Sequence, residues 1–159
     1  MPYLKAGDVI SGQEGWASML VHDESGDRVE DLFMVKNLEA TAEVEKTDVY
    51  TLGKRGAQHK PNGWSGSGSM TVYYVTSLFR KMVIQYIKTG KPVYFDITIT
   101  NDDPGASVGL QTVILKNCSI DSSIVAKLDV ESEVLDENLD FTFDDVDLLE
   151  SFQAPELGG

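Results

Sequence analysis

The sequence predicts a mainly β chain, a sandwich or open barrel carrying one α-helix. Three observations predict it. Apolar and polar side chains alternate with a period of two in several separate stretches. Turn-forming clusters such as Asp23-Glu24-Ser25-Gly26-Asp27 and Asp102-Asp103-Pro104-Gly105 punctuate those stretches. One stretch alone, after Ser77, has its apolar residues at helical spacing.

The elements follow in order. Residues 1–15, with Gly7, Gly12 and Gly15, read as an irregular arm. Trp16 to His22 reads as a strand, Asp23 to Asp27 as a turn, and a second strand follows from Val29. From Lys36 to Lys46 the alternation is clean: Leu38, Ala40, Ala42 and Val44 against Glu39, Thr41, Glu43 and Glu45. Residues 47–66 read as a long connection rich in Gly, Lys and polar groups, a length usually tied to function or disorder. Ser67 to Thr76 is a strand rich in Val, Tyr and Thr.

Thr76 or Ser77 caps the helix. Its stripe is Leu78, Phe79, Met82, Val83, Tyr86 and Ile87; Gly90 stops it and Pro92 follows. Leu78, Met82, Val83 and Tyr86 are expected to pack on the sheet. Pro92 to Thr100 is a strand and Asn101 to Ser107 a turn. Gly109 to Lys116, Asn117 to Lys127 and Glu137 to Val146 read as three more strands, and 147–159 as a C-terminal tail. The 159 residues suffice for one core and are too few for two ordinary ones, so 1–159 reads as a single domain.

Composition excludes several functions. There are 26 Asp plus Glu against 13 Lys plus Arg, a net charge of −13. Gripping nucleic acid depends on cations meeting phosphates, so such a surface disfavours it, though not proximity to DNA. Cys118 is the single cysteine; no intrachain disulfide is possible, which suits a reducing cytosol. No secretory leader is visible, and no segment approaches the ~20 apolar residues of a membrane span.

Chemistry is equally sparse. His22 and His59 have no ligand-spaced partner, so neither a metal nor another cofactor is expected. Gly53-Lys54-Arg55-Gly56 lacks the spacing of a phosphate-binding loop. The acidic tract Asp136 to Asp147 could supply two carboxylates for glycoside hydrolysis. Its acids instead alternate with Leu139, Phe141 and Phe143, which makes them the wet face of a strand and the chain no enzyme. A ligand- or carbohydrate-binding β-module is the alternative of another class, with Trp64 as a platform.

Four strands share one design. Glu39, Thr41 and Glu43 oppose the apolar set of their strand. Ser69, Thr71 and Tyr73 oppose Met70, Val72 and Tyr74; Ser119, Asp121 and Ser123 oppose Cys118, Ile120 and Ile124; Asp140, Thr142 and Asp144 oppose Leu139, Phe141 and Phe143. An ordinary solvated sheet would give the same alternation. The absence of Lys and Arg from these wet positions separates the two readings: this surface repels anions. Charge is also segregated. Residues 46–66 hold Lys46, Lys54, Arg55 and Lys60 against Asp48, a net +3, whereas residues 129–150 carry ten acids and no Lys or Arg. A basic projection on an acidic body suits head-to-tail self-association, and a solvated loop that happens to be basic would carry the same charge.

Several segments, in order, resemble the tail tube proteins of contractile phages, defective prophages and phage-tail-like bacteriocins. They are Ile10 to Gly15, Ala42 to Lys46, Leu52 to Arg55 with His59-Lys60, Gly66 to Ser77, Lys127 to Glu133, and Phe141 to Asp145. The resemblance covers nearly the whole chain. It implies the tail-tube fold and assembly of rings of six, stacked into a tube whose inner barrel takes four strands from each copy. Glu39, Thr41, Glu43, Ser69, Thr71, Ser119, Asp121, Ser123, Asp140, Thr142 and Asp144 are then the expected channel-lining set. Lys54, Arg55, His59, Lys60 and Trp64 are the expected inter-ring residues. The implied partners are copies of itself and the tail sheath, baseplate and tail terminator proteins, with DNA only in transit or a membrane to puncture. The implied place is the tail of a virion or phage-like particle made in a bacterial cytoplasm.

Overall fold

The computed structural model describes residues 1–23 and 26–159. Its elements are a 3-10 turn at Ala6–Asp8, β1 (Gly15–Asp23), β2 (Gly26–Asp31), β3 (Val35–Val49), β4 (Gln58–Tyr73), α1 (Leu78–Thr89), β5 (Tyr94–Asp102), β6 (Leu110–Ser122), β7 (Asp136–Phe143) and β8 (Asp145–Glu150). All pairings are antiparallel, in the order β2-β1-β5-β6-β7-β4-β3, with β8 also on β6.

One strand belongs to two sheets. The first half of β6 runs between β5 and β8; its last residues, Ser119 to Ser122, pair with β7 instead. The crossing is at Asn117, which takes the left-handed φ of 53° that Asn tolerates better than most residues. Asp96 holds the bend: its Oδ1 accepts the Asn117 amide at 3.0 Å and its Oδ2 lies 3.2 Å from His22 Nε2. The two sheets pack their apolar faces together. Met19, Val21, Phe95, Ile97 and Leu115 meet Met70, Val72, Leu139, Phe141 and Phe143, with Phe79 and Met82 of α1 in the same cluster. Each such side chain contributes roughly 1.5–3 kcal/mol on full burial.

The alternation placed the strands well and their ends less well. The segment 47–66 is not one long connection: β3 runs to Val49 and β4 starts at Gln58, leaving residues 50–57 as the turn. Gln58 to Gly63 is polar with no alternating dry side, because this part of the ribbon is paired backbone to backbone and covers no core. Pro61 fits because it sits beside the register shift between Glu45 and Lys46. The two expected strands Gly109–Lys116 and Asn117–Lys127 are the single bent β6, which stops at Ser122. Glu137–Val146 is split into β7 and β8 where the Asp144 amide donates to the Lys116 carbonyl at 3.1 Å. Asp147 to Glu150 of the expected tail belong to β8. Glu24 and Ser25 of the expected Asp23–Asp27 turn lie outside the described residues, while Gly26 and Asp27 already belong to β2.

The helix keeps its expected stop, with Gly90 in the left-handed conformation at φ 72°. Its start is held by the Thr76 hydroxyl, which accepts the Leu78 amide at 3.2 Å. Only its first half docks fully: Phe79, Arg80 and Met82 are buried, but Tyr86 and Ile87 are exposed, against expectation for Tyr86. The N-terminal arm is not loose. Asp8, 6% exposed, accepts the Lys5 amide, the Ser107 hydroxyl at 2.6 Å, and the Glu156 and Leu157 amides. These bonds, Ser107 first, hold the Asp8 carboxyl below its usual pKa.

Candidate functional site: the polar face of the second sheet

β3, β4, β7 and the end of β6 form a four-stranded sheet whose register aligns its polar residues in rows. Glu39 lies opposite Ser69, Ser69 opposite Asp140, and Asp140 opposite Ser122. Thr41 pairs with Ser67, Ser67 with Thr142, and Thr142 with Ser119. These two rows are flanked at one end by Thr71 opposite Asn138 and at the other by Glu43 opposite Ser65. Within the rows, hydroxyls link β6 to β7: Ser119 Oγ and Thr142 Oγ1 are 3.3 Å apart, and Ser122 Oγ donates to Asp140 Oδ2 at 3.2 Å.

Register and shared groove therefore bring nine of the eleven residues expected on one face together; Asp144 lies past the last paired residue of β7, and Ser123 is not on the face. A bulge between Ile120 and Ser122 lets Asp121 and Ser122 both front the polar side, so the parity beyond it is reversed. The Ser123 hydroxyl is buried without a hydrogen-bond partner. Ser122, Asn138, Ser65 and Ser67 belong to the face and were missed. Ser65 and Ser67 were legible in the Ser65-Gly66-Ser67-Gly68-Ser69 alternation.

The glycines of that run have a packing cause. A Cβ at Gly66 would lie 2.4 Å from the Phe143 ring, and one at Gly68 2.4 Å from the Phe141 ring and 2.8 Å from the Glu39 carbonyl. The phenylalanines of β7 lie across β4 on the dry side, and only glycine leaves room. The serines between them are what the wet side sees.

The face is acidic without counter-ions. Among the described residues no Lys or Arg makes an ion pair with Glu39, Glu43, Asp121, Asp140 or Asp144. Asp121, although exposed, has its pKa raised by partial burial and then by the Asp140 carboxylate. At the rim, Lys36 and Lys127 both reach Asp136.

Beyond Gly66, the partner of Phe143, β4 has no neighbour but β3 among the described residues. Residues 58–65 with their β3 partners thus project as a bare two-stranded ribbon, about 26 Å long at roughly 3.3 Å per residue. Of the expected loop set, Lys54 and Arg55 lie in its turn, while His59, Lys60 and Trp64 are strand residues. His59 Nδ1 meets Asp48 at 2.8 Å. Trp64 leans on Phe143 at the ribbon's base, with centroids 6.0 Å apart, and stays 43% exposed.

No group of three or more potential metal-ligating side chains occurs among the described residues. The Cys118 thiol is buried, and burial pushes its pKa up to about 12.

A family model described as "Phage tail tube protein" matches residues 2–150. The phage-like element PBSX protein XkdM of Bacillus subtilis (strain 168) is 38% identical over 147 residues, 92% of this chain and 95% of that protein. The uncharacterized protein YqbM of the same strain is 37% identical over 151 residues, 95% and 97% of the two chains. Among solved structures, a chain of the extended sheath-tube complex of an extracellular contractile injection system superposes with a TM-score of 0.62 at 15% identity, covering 90% of this chain and 92% of that one. The SPP1 tail tube does so with 0.57 at 14% identity, covering 94% and 81%.

Proposed function

Because this chain belongs to the phage tail tube protein family, and is a structural tail tube subunit of a phage or phage-like particle rather than an enzyme, we propose how its polar face serves that tube. Copies close into rings of six with this face inward, and the rings stack. The observation that carries the reading is the conjunction of one counter-ion-free acidic face with two open edges on the same sheet. The outer edge of β3 and the edge of β6 beyond Cys118 have no partner strand among the described residues. An open edge invites pairing, and pairing one edge with the opposite edge of the next copy is heterologous, so it closes when the rotation fits.

Six copies of four strands give about 24 strands, a circumference of roughly 115 Å at about 4.8 Å per strand, and a backbone diameter of about 37 Å before tilt widens it. A duplex fits such a bore. Carboxylates repel its phosphates and hydroxyls offer no fixed charge, so DNA slides without binding. The same bore would serve a particle that punctures a membrane. The projecting ribbon, basic at its turn, reaches the next ring. The sheath, baseplate and terminator are the remaining partners, in keeping with likeness to chains from sheath-tube, baseplate and sheath/tube-terminator assemblies.

Helical reconstruction of tubes grown from concentrated protein tests the reading. We expect Glu39, Glu43 and Asp140 on the inner wall; the same carboxylates on the outer wall would overturn it. Glu39→Lys with Glu43→Lys should assemble normally and slow or trap polyanions in the bore. Unchanged passage would remove the electrostatic mechanism alone.

A further inference from the structure

Residues 128–134, Leu-Asp-Val-Glu-Ser-Glu-Val, alternate like a strand yet form none. They lie in the connection between β6 and β7. Leu128 is 91% exposed, Val130 93% and Val134 63%. Asp129, Glu131 and Glu133 alternate with them. A segment patterned for one dry side and left fully wet has its partner outside the subunit.

Topology locates that partner. β7 begins at Asp136, which pairs with Tyr73 at the end of β4; the ribbon turn lies at the other end of the same strand. The 128–134 segment and the turn 50–57 therefore occupy opposite ends of one sheet. Their chemistry is complementary. The turn bears Tyr50, 75% exposed, and Leu52, fully exposed, with Lys54 and Arg55 beside them. Lys5, Arg28, Lys36, Arg80, Lys116 and Lys127 each meet a carboxylate within the subunit. Among the described residues, Lys46, Lys54, Arg55 and Lys60 of the ribbon meet none, as is also true of Lys81 and Lys88 on α1, and Glu131 and Glu133 meet no cation.

We propose that the ribbon turn of a copy in one ring docks on residues 128–134 of a second copy in the next, Tyr50 and Leu52 against Leu128, Val130 and Val134, Lys54 and Arg55 against Glu131 and Glu133. This rests on the stacked-ring reading and narrows it. The acidic tract is thereby divided: Asp140 serves the polar face, and Asp129, Glu131 and Glu133 serve stacking. A heterologous contact between opposite ends does not close, so it elongates.

Charge reversal and its compensation test it, read by electron microscopy and sedimentation. Lys54→Glu with Arg55→Glu should keep the wild-type melt and lose long tubes. Glu131→Lys with Glu133→Lys should do the same. All four changes together should restore tubes. If the first pair leaves tube length unchanged, the ribbon does not stack rings and the underlying reading falls. If it abolishes tubes while the second pair leaves them unchanged, or the quadruple variant folds and stays short, the ribbon stacks on another surface and this inference is overturned.

Discussion

Two carboxylates three residues apart on β7 live under opposite rules. Glu137 points to the dry side, its side chain fully buried, and Arg80 Nη1 donates to its Oε2 at 2.9 Å. Arg80 is itself fixed by the Thr76 carbonyl and by the Tyr74 ring, 4.3 Å away. Burial raises the Glu137 pKa and the guanidinium opposes it. Asp140 points to the wet side, with a serine hydroxyl for company and no cation. The chain supplies a counter-charge where burial demands one and withholds it where water suffices. Folding of the subunit explains the first choice; it gives no reason for the second.

That contrast can be broken by substitution. Arg80→Ala leaves a charge stranded in the core and should cost about 3–5 kcal/mol, measured by urea denaturation. Pairing Arg80→Met with Glu137→Leu should recover most of it, and a double variant as unstable as the single one would deny the ion pair its role. Gly68→Ala comes next. Its methyl meets the Phe141 ring and the Glu39 carbonyl, so overpacking should cost about 1–3 kcal/mol. Asp140→Asn, on the other face, should stay within about 0.5 kcal/mol. A large loss there would mean the wet face helps hold the subunit together.

The smallest effect is at His22, in contact with Asp27 and Asp96 and partly exposed. The Asp27 hydrogen bond, then that of Asp96, raises its pKa. A raised histidine stabilises the fold fully below its unfolded value of about 6.5, and the benefit fades as pH rises through the folded value. The Tm advantage of wild type over His22→Gln should shrink from pH 6 to pH 8; a constant difference would leave only pH-independent packing.

The fold was legible where one face is dry. Leu139-Asp140-Phe141-Thr142-Phe143 announced both the strand and its wet side. It was obscure where the reason for structure is backbone alone, as in the ribbon from Gln58 to Gly63, whose polar residues carry no period. The bulge at Asp121 was invisible because a single extra residue reverses parity without altering composition. The Asp8 junction with Glu156 and Leu157 depends on residues nearly 150 positions apart, and no local pattern encodes such a meeting.

The bend at Asn117 has a mechanical consequence. β6 carries one covalent chain from the outer sheet into the face proposed as the wall, with no loop between. A load applied to either sheet reaches the other through peptide bonds rather than through side-chain packing, which can slip. Amides of β5 and β7, on opposite sides of the bend, should therefore lose hydrogen-exchange protection together, as parts of one stiff body.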